Sequence, residues 1–200
     1  MKKFLFSAVA LAALGLQAFT PLTELPIGAD MPKAEVKMKD ISGKEITLKD
    51  AKKKGGLLVM FSCNTCPYVV KNQGRTNGVA AYAEKNGIGV IIVNSNEAQR
   101  NGDDSFSAMQ KYAKDQGYKW YYVVDKNSEL ADAFGANRTP ETFLFNSDGK
   151  LVYHGAIDDS PADAKNVARN HLKEAIDEMK GGKDVTVKTS RSVGCGIKRL

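Results

Sequence analysis

The stretch "LLVMFSCNTCPYVV", residues 57–70, turns from apolar to polar and back again. Leu57-Leu58-Val59-Met60-Phe61 is an unbroken apolar run, bounded by Gly55-Gly56 on one side and a cysteine-containing turn on the other. A short run of this kind without alternation reads as a strand buried on both faces, as in a parallel or mixed central sheet. The chain from Asn64 to Ala83 then has helical potential, weakened by Gly74 and Gly78. Pro67 belongs in the first turn, where an amide hydrogen has no intrahelical partner to lose. With Cys63 as N-cap, Pro67 is the fourth helical residue. The expected geometry is a buried strand feeding a helix whose first turn carries Cys63 at the exposed end and Cys66 shielded one turn in.

That placement carries chemistry. A helix N-terminus offers unpaired N–H groups and the positive end of the dipole. In such surroundings a thiol pKa falls from about 8.5 to somewhere between roughly 3.5 and 7.5. Cys63 is therefore expected to attack a disulfide as thiolate, and Cys66 to resolve the mixed disulfide. A purely structural bridge is a weak reading, because closing so short a loop constrains the unfolded chain little. Structural zinc needs four ligands and no second cysteine pair exists, so no metal is assigned. The non-enzymatic alternative is a Cu(I) site built from cysteine thiolates and His154. The motifs call for no cofactor.

Around this centre the chain is organised simply. Met1-Lys2-Lys3 is a short basic start, Phe4 to Leu16 is almost wholly apolar, and Gln17-Ala18 offers a small residue for cleavage. This is the layout of a secretory signal peptide, and it is short for a membrane span. The expected organisation is a signal peptide at 1–18, one domain at 19–182 and a C-terminal tail at 183–200 carrying Cys195. The mature protein is expected to be exported, periplasmic or extracellular, with no integral membrane segment. The whole chain has 29 basic and 23 acidic side chains, a formal charge of +6 that falls to +4 without Lys2 and Lys3. Only Lys52-Lys53-Lys54 forms a basic run, and a solvated turn explains it, so nucleic acid is not an expected partner. Three cysteines leave one thiol outside any single pair.

The remaining pattern alternates strands and helices. Gly89 to Val93 and Tyr121 to Val124 read as further strands, Asp103 to Asp115 and Ser128 to Phe134 as helices, the second closed by Gly135. Thr142 to Phe145 and Leu151 to His154 flank the turn Asn146-Ser147-Asp148-Gly149 as a hairpin. Ser160-Pro161 is expected to cap and start a last helix running to Met179. Ala34 to Met38 and Glu45 to Leu48, around Ser42-Gly43, suggest a small N-terminal hairpin. Asp158-Asp159 reads as a solvated turn or cap, Glu141 as an exposed strand-edge acid, and His154 as an ordinary partly buried strand residue. His171 reads as a helix residue.

A buried strand, a Cys-x-x-Cys helix start and Thr139-Pro140 before a hairpin strand, in that order, resemble the thioredoxin fold: a central mixed sheet flanked by helices, here with an N-terminal hairpin extension. By itself an X–Pro bond is usually trans. The resemblance implies that Pro140 is cis, that it faces the cysteines, and that the backbone before it pairs with a bound polypeptide near Cys63. Within that fold the chain is similar to a peroxiredoxin-like branch of the redoxins, related to the alkyl hydroperoxide reductase and thiol-specific antioxidant group. The matching pieces are Phe61 to Tyr68, Asn94-Ser95-Asn96, Asp104-Ser105-Phe106 with Met109, Ala131 to Ala136, Thr139-Pro140, Leu151 to Asp159, and Gly194-Cys195-Gly196-Ile197-Lys198. In peroxiredoxins the peroxide-reactive cysteine has a threonine three residues before it. Here Cys66 would be that cysteine and Cys63 stands in the threonine's place, which favours thiol–disulfide exchange over peroxide reduction.

The expected activity is thus exchange with protein or small-molecule disulfides and thiols, from an unidentified upstream thiol donor. Thiol peroxidase action by Cys66, with peroxide as substrate, is the enzymatic alternative. Thr139, Pro140 and Arg138 are the expected substrate-binding residues. Cys195, flanked by Gly194 and Gly196, reads either as a surface thiol on a mobile end or as a third redox cysteine that folds back on Cys63 or Cys66. Thioredoxins commonly hold a buried acid beneath their cysteines, and the Leu57–Phe61 run contains none.

Overall fold

The computed structural model describes residues 23–200, so the expected signal peptide lies outside the described residues. The strands are β1 (Met38–Asp40), β2 (Glu45–Ile46), β3 (Leu57–Ser62), β4 (Gly89–Asn94), β5 (Tyr121–Val124), β6 (Arg138–Thr139), β7 (Glu141–Phe145), β8 (Leu151–Gly155) and β9 (Cys195–Gly196). The α-helices are α1 (Leu48–Ala51), α2 (Pro67–Lys85), α3 (Phe106–Asp115), α4 (Glu129–Phe134) and α5 (His171–Lys180). Seven strands form one mixed sheet in the order β2-β1-β5-β4-β3-β7-β8. The β3–β4 and β4–β5 pairs are parallel, and the pairs outside them are antiparallel.

Every residue of β3 and β4 is buried, as the unbroken apolar runs require. Alternate side chains leave opposite faces of a strand, and each face has its own core. Leu58, Met60, Val90 and Ile92 join Val79, Ala80 and Ala83 of α2, Met109 of α3, and Leu172 and Ile176 of α5. Leu57, Val59, Phe61, Ile91 and Val93 join Leu48 of α1 and Leu130, Ala131 and Phe134 of α4. Fully burying such a side chain stabilises the fold by about 1.5–3 kcal/mol. On the second face Phe61, Phe134 and Phe143 meet edge to face, with centroids 5.0–5.6 Å apart, the arrangement their ring quadrupoles favour. No helix among the described residues is long and apolar enough to cross a membrane.

Several boundaries move from the expectation. The N-terminal hairpin is shorter: Met38 faces Ile46 and Lys39 faces Glu45, while Ala34 to Lys37 form no strand. Leu48 enters α1 instead, because Thr47 and Asp50 form a reciprocal capping box. Helix α3 starts at Phe106, since the Ser105 hydroxyl accepts the Ala108 N–H and so fixes the N-cap there. Gly135 closes α4 at φ +64°, where a Cβ would meet Thr23 O at 2.3 Å.

The largest correction concerns Ser160-Pro161, which does not begin the last helix; α5 starts at His171. Arg75 of α2 donates to Ser160 O at 2.8 Å and Pro161 O at 3.2 Å, and Asn72 donates to Pro161 O at 2.8 Å. Those carbonyls are held toward α2 and away from any helical partner. The same guanidinium donates to both oxygens of Asp158 at 2.7 Å. Asp158 is therefore a buried, ion-paired acid rather than a solvated turn residue.

Candidate redox site

The β3–α2 junction brings the first two cysteines together, with one change of frame. Cys66, not Cys63, is the N-cap of α2, and Pro67 occupies its first turn directly. Proline is well suited there, because its ring pre-sets φ and its missing N–H is not needed. Cys63 is consequently set back in the turn leaving β3. It is 2% exposed, which corrects the expectation of an exposed sulfur, and Cys66 is 4% exposed.

Each sulfur has defined neighbours. Cys63 Sγ lies 3.4 Å from Thr139 Oγ1. Cys66 Sγ lies 3.3 Å from Thr139 O, 2.7 Å from Cys195 Sγ and 3.4 Å from the Cys195 N–H. The Thr139–Pro140 peptide is cis, as the resemblance implied. All three cysteines are free thiols. The structure thus gathers Cys63, Cys66, Cys195, Thr139 and Pro140 at one place. Arg138 is exposed, and its Nη1 donates to Gly194 O at 3.3 Å.

The two buried thiols titrate in opposite directions. The Cys63 hydrogen bond draws Cys66 down to about 4, with contributions from Cys195 and the Val69 N–H at the helix start, against the upward pull of burial. Cys63 is pushed far above the ordinary thiol range by that same contact with Cys66, then by burial, with the charge of Asp104 adding to the effect. Cys195 is pushed up to about 11, first by burial and then by its contact with Cys66. The pattern is one anionic sulfur, Cys66, surrounded by protonated ones.

This has a measurable consequence. A depressed pKa means that the thiolate persists above it and is lost only as pH falls through about 4. Ultraviolet thiolate absorbance of the reduced protein should therefore show one thiolate already present at neutral pH. That signal should stay flat from about pH 8 to about pH 5, where an ordinary thiol loses it. Its disappearance with an apparent pKa near that of a free thiol would contradict the arrangement.

Sequence reasoning missed the acid beneath the cysteines. It comes from Asp104, in the loop before α3, and its side chain is fully buried. Asp104 Oδ1 accepts the Asn64 N–H at 2.9 Å and an Asn94 amide hydrogen at 2.7 Å, and Oδ2 accepts from Asn96 at 2.8 Å. Asn64 in turn donates to Asp103 O at 2.7 Å and accepts from the Tyr122 hydroxyl at 2.8 Å. The turn between the cysteines is therefore anchored through Asn64 to β4, β5 and the Asp104 loop. The signal available in sequence was the polar cluster Asn94-Ser95-Asn96 at the end of a strand otherwise apolar from Val90 to Val93.

Two further expectations are corrected. Glu141 is 4% exposed. Its Oε2 accepts the N–H groups of Asn137 and Arg138 at 2.8 and 3.0 Å, and Oε1 lies 2.8 Å from His154 Nε2. It braces the segment before Pro140 from below. His154 is held in that contact and stacks on Phe143 at 4.2 Å.

The C-terminal segment reaches this site as a strand. Past His154 it makes backbone bonds through Lys188 and Ser190, and at β9 it pairs antiparallel with β6, Thr139 opposite Cys195 and Arg138 opposite Gly196. The edge expected to receive a bound polypeptide is occupied by the chain's own tail.

The chain is similar to several known proteins. The thiol-disulfide oxidoreductase ResA of Geobacillus thermodenitrificans is 28% identical over 151 residues, covering 70% of this chain and 78% of that protein. The crystal structure of an uncharacterized conserved protein from Geobacillus kaustophilus is similar at TM-score 0.81 and 32% identity, covering 88% of this chain and 93% of that one. A hypothetical protein from Sinorhizobium meliloti 1021 is similar at TM-score 0.80 and 33% identity, covering 89% and 97%. A family model described as Redoxin matches residues 26–172. With that match spanning most of the chain and a thioredoxin-like sheet carrying its cysteines at the β3–α2 junction, this chain belongs to the redoxin family.

Proposed function

We propose that the chain is a thiol–disulfide oxidoreductase that works on protein or small-molecule disulfides and thiols, with Cys66 as the attacking thiolate. The observation that carries this reading is the position of Cys66 at the N-cap of α2, with its thiol pKa drawn down while that of Cys63 is driven up. The Cys66 thiolate attacks a substrate disulfide, forming a mixed disulfide and releasing one substrate thiolate. Cys63 then gives up its proton, attacks Cys66 Sγ, and frees the second substrate thiol as the Cys63–Cys66 disulfide closes. The roles are the reverse of those expected from a Cys63 N-cap. The name of the ResA relative supports the reaction class. The basic and apolar N-terminal stretch supports action outside the cytoplasm.

The alternatives find less support. Arg138 is engaged with Gly194 O rather than with a sulfur, so it is not set to orient peroxide at Cys66. His154 is bound to Glu141 and stacked on Phe143, which leaves the copper reading without its imidazole.

The test uses Cys63→Ser/Cys195→Ser protein, in which neither neighbouring sulfur can resolve an adduct at Cys66. Incubation with hydroxyethyl disulfide should accumulate one mixed disulfide per chain, mapped by mass to Cys66. An unmodified Cys66 after prolonged incubation would rule this mechanism out.

A further inference from the structure

The β6–β9 pairing fixes how the tail sits and therefore what could replace it. Cys195–Gly196 lie as a strand against the segment before Pro140, and beyond them the Ile197 N–H donates to Asn137 O at 3.0 Å. Lys198 is bonded on both sides, its N–H to Asn96 Oδ1 and its carbonyl to the Ala98 N–H, each at 2.9 Å. The Ile197 side chain is buried in the core that holds Phe134 and Ala136. This seat presents a cysteine, Cys195, to Cys66 at 2.7 Å. An exchanging partner must place its sulfur in that position.

The two glycines flanking Cys195 are not equivalent. A Cβ on Gly194 would meet Thr139 O at 2.0 Å and Thr139 C at 2.7 Å, both backbone atoms. A Cβ on Gly196 would meet only Asn137 O at 3.9 Å, an ordinary contact. The edge therefore closes tightly on the residue before the cysteine and leaves room after it.

We propose that the tail is a resident substrate strand. Its seat on β6 accepts extended polypeptides that carry glycine immediately before the reacting cysteine, and the chain's own Gly194-Cys195 blocks the seat until it lifts. This rests on the exchange reading above. The covalent step is that reaction with a peptide disulfide. The Cys66–peptide bond forms as the peptide S–S bond breaks and one peptide thiolate leaves. Cys63 then closes on Cys66, and the second peptide thiol leaves with the proton Cys63 gave up. The two electrons come from Cys63 and Cys66.

The experiment compares reduced Cys195→Ser protein with Gly194→Ala/Cys195→Ser and Gly196→Ala/Cys195→Ser proteins. The substrates are the symmetric disulfides of the peptide Ser-Val-Gly-Cys-Gly-Ile-Lys and of its variant with alanine before the cysteine, both with blocked ends, and hydroxyethyl disulfide. Lifting the tail with Gly194→Ala should speed reduction of the glycine peptide at least about tenfold, whereas Gly196→Ala should leave it within about twofold. On the lifted protein the alanine peptide should react at least about tenfold more slowly than the glycine peptide. If the two peptides react alike, or if Gly194→Ala leaves the glycine peptide's rate unchanged, the proposal is wrong. If no protein reduces even hydroxyethyl disulfide, the exchange reading itself fails. Should Gly194→Ala protein lack the parent's unfolding transition, a chain ending at Ser192 takes its place, with the same rates expected and the same results overturning the proposal.

Discussion

Cys66→Ser protein should lose disulfide exchange by on the order of 10³-fold or more, the scale on which enzymes lose activity when the nucleophile is removed. Serine keeps the shape of the side chain but has no accessible anion near neutral pH, so the first step has no attacker. Cys63 is a poor substitute. Its contact with the Cys66 thiolate, the largest cause of its raised pKa, goes with the substitution, but burial and the charge of Asp104 remain. At neutral pH the remaining sulfur is thus mostly a buried thiol. The measurement is the second-order rate of reduction of a small disulfide by pre-reduced protein, with thiol counting to confirm that Cys63 is intact. Retention of more than about a tenth of the parent rate, also in Cys66→Ser/Cys195→Ser protein, would assign the attack to Cys63 and restore the order expected from sequence.

The second large effect should come from Asp104→Ala. Its carboxylate accepts three N–H groups from Asn64, Asn94 and Asn96, and the side chain is fully buried. Removing it leaves those donors in a site water cannot readily reach. A lost partner of a buried group costs about 1–3 kcal/mol, more when the partner is charged, and such losses do not add fully. A destabilisation of about 3–5 kcal/mol is expected, a large part of the 5–15 kcal/mol typical of a domain. Urea unfolding measures it, and a midpoint shift worth under about 1 kcal/mol would show that the network relaxes without the acid. Asp104→Asn separates charge from packing. It removes the negative charge that helps raise Cys63, so the Cys63 thiol should titrate lower in that variant while Cys195 serves as an internal control.

The redox centre is one sulfur made anionic by the groups around it. Cys66 receives hydrogen bonds at the start of α2 while its neighbours keep their protons. Such division of protons within a coupled cluster suits exchange, because one sulfur is ready to attack and another can later give up its proton. The same crowding brings Cys195 within reach of Cys66, so the tail sits where an incoming partner must go.

The stretch from Leu57 to Pro67 determined much of this by itself. A short unbroken apolar run between Gly55-Gly56 and the cysteine turn reads as a strand covered on both faces, and β3 is that strand. Pro67 marked the first turn of a helix, where its missing N–H costs nothing, although the start expected at Asn64 lies at Pro67 itself. Such local rules are legible because steric and hydrogen-bonding limits act within a few residues. The resemblance also set Thr139-Pro140 facing the cysteines and left Cys195 either a surface thiol or a sulfur that folds back on them; the β6–β9 pairing that sets the tail against Cys66 depends on contacts far apart in the chain. Tertiary structure alone decided that Cys66 is the cap and Cys63 the buried partner. It also decided that the acid below them is Asp104 and that Glu141 braces the segment before Pro140. Each depends on which groups become buried together: a carboxylate or thiol changes character only when distant residues remove its water and supply its hydrogen bonds. The failed helix start at Ser160-Pro161 has the same cause, because Arg75 and Asn72 on a separate helix claim the carbonyls that a local cap would have placed in the helix.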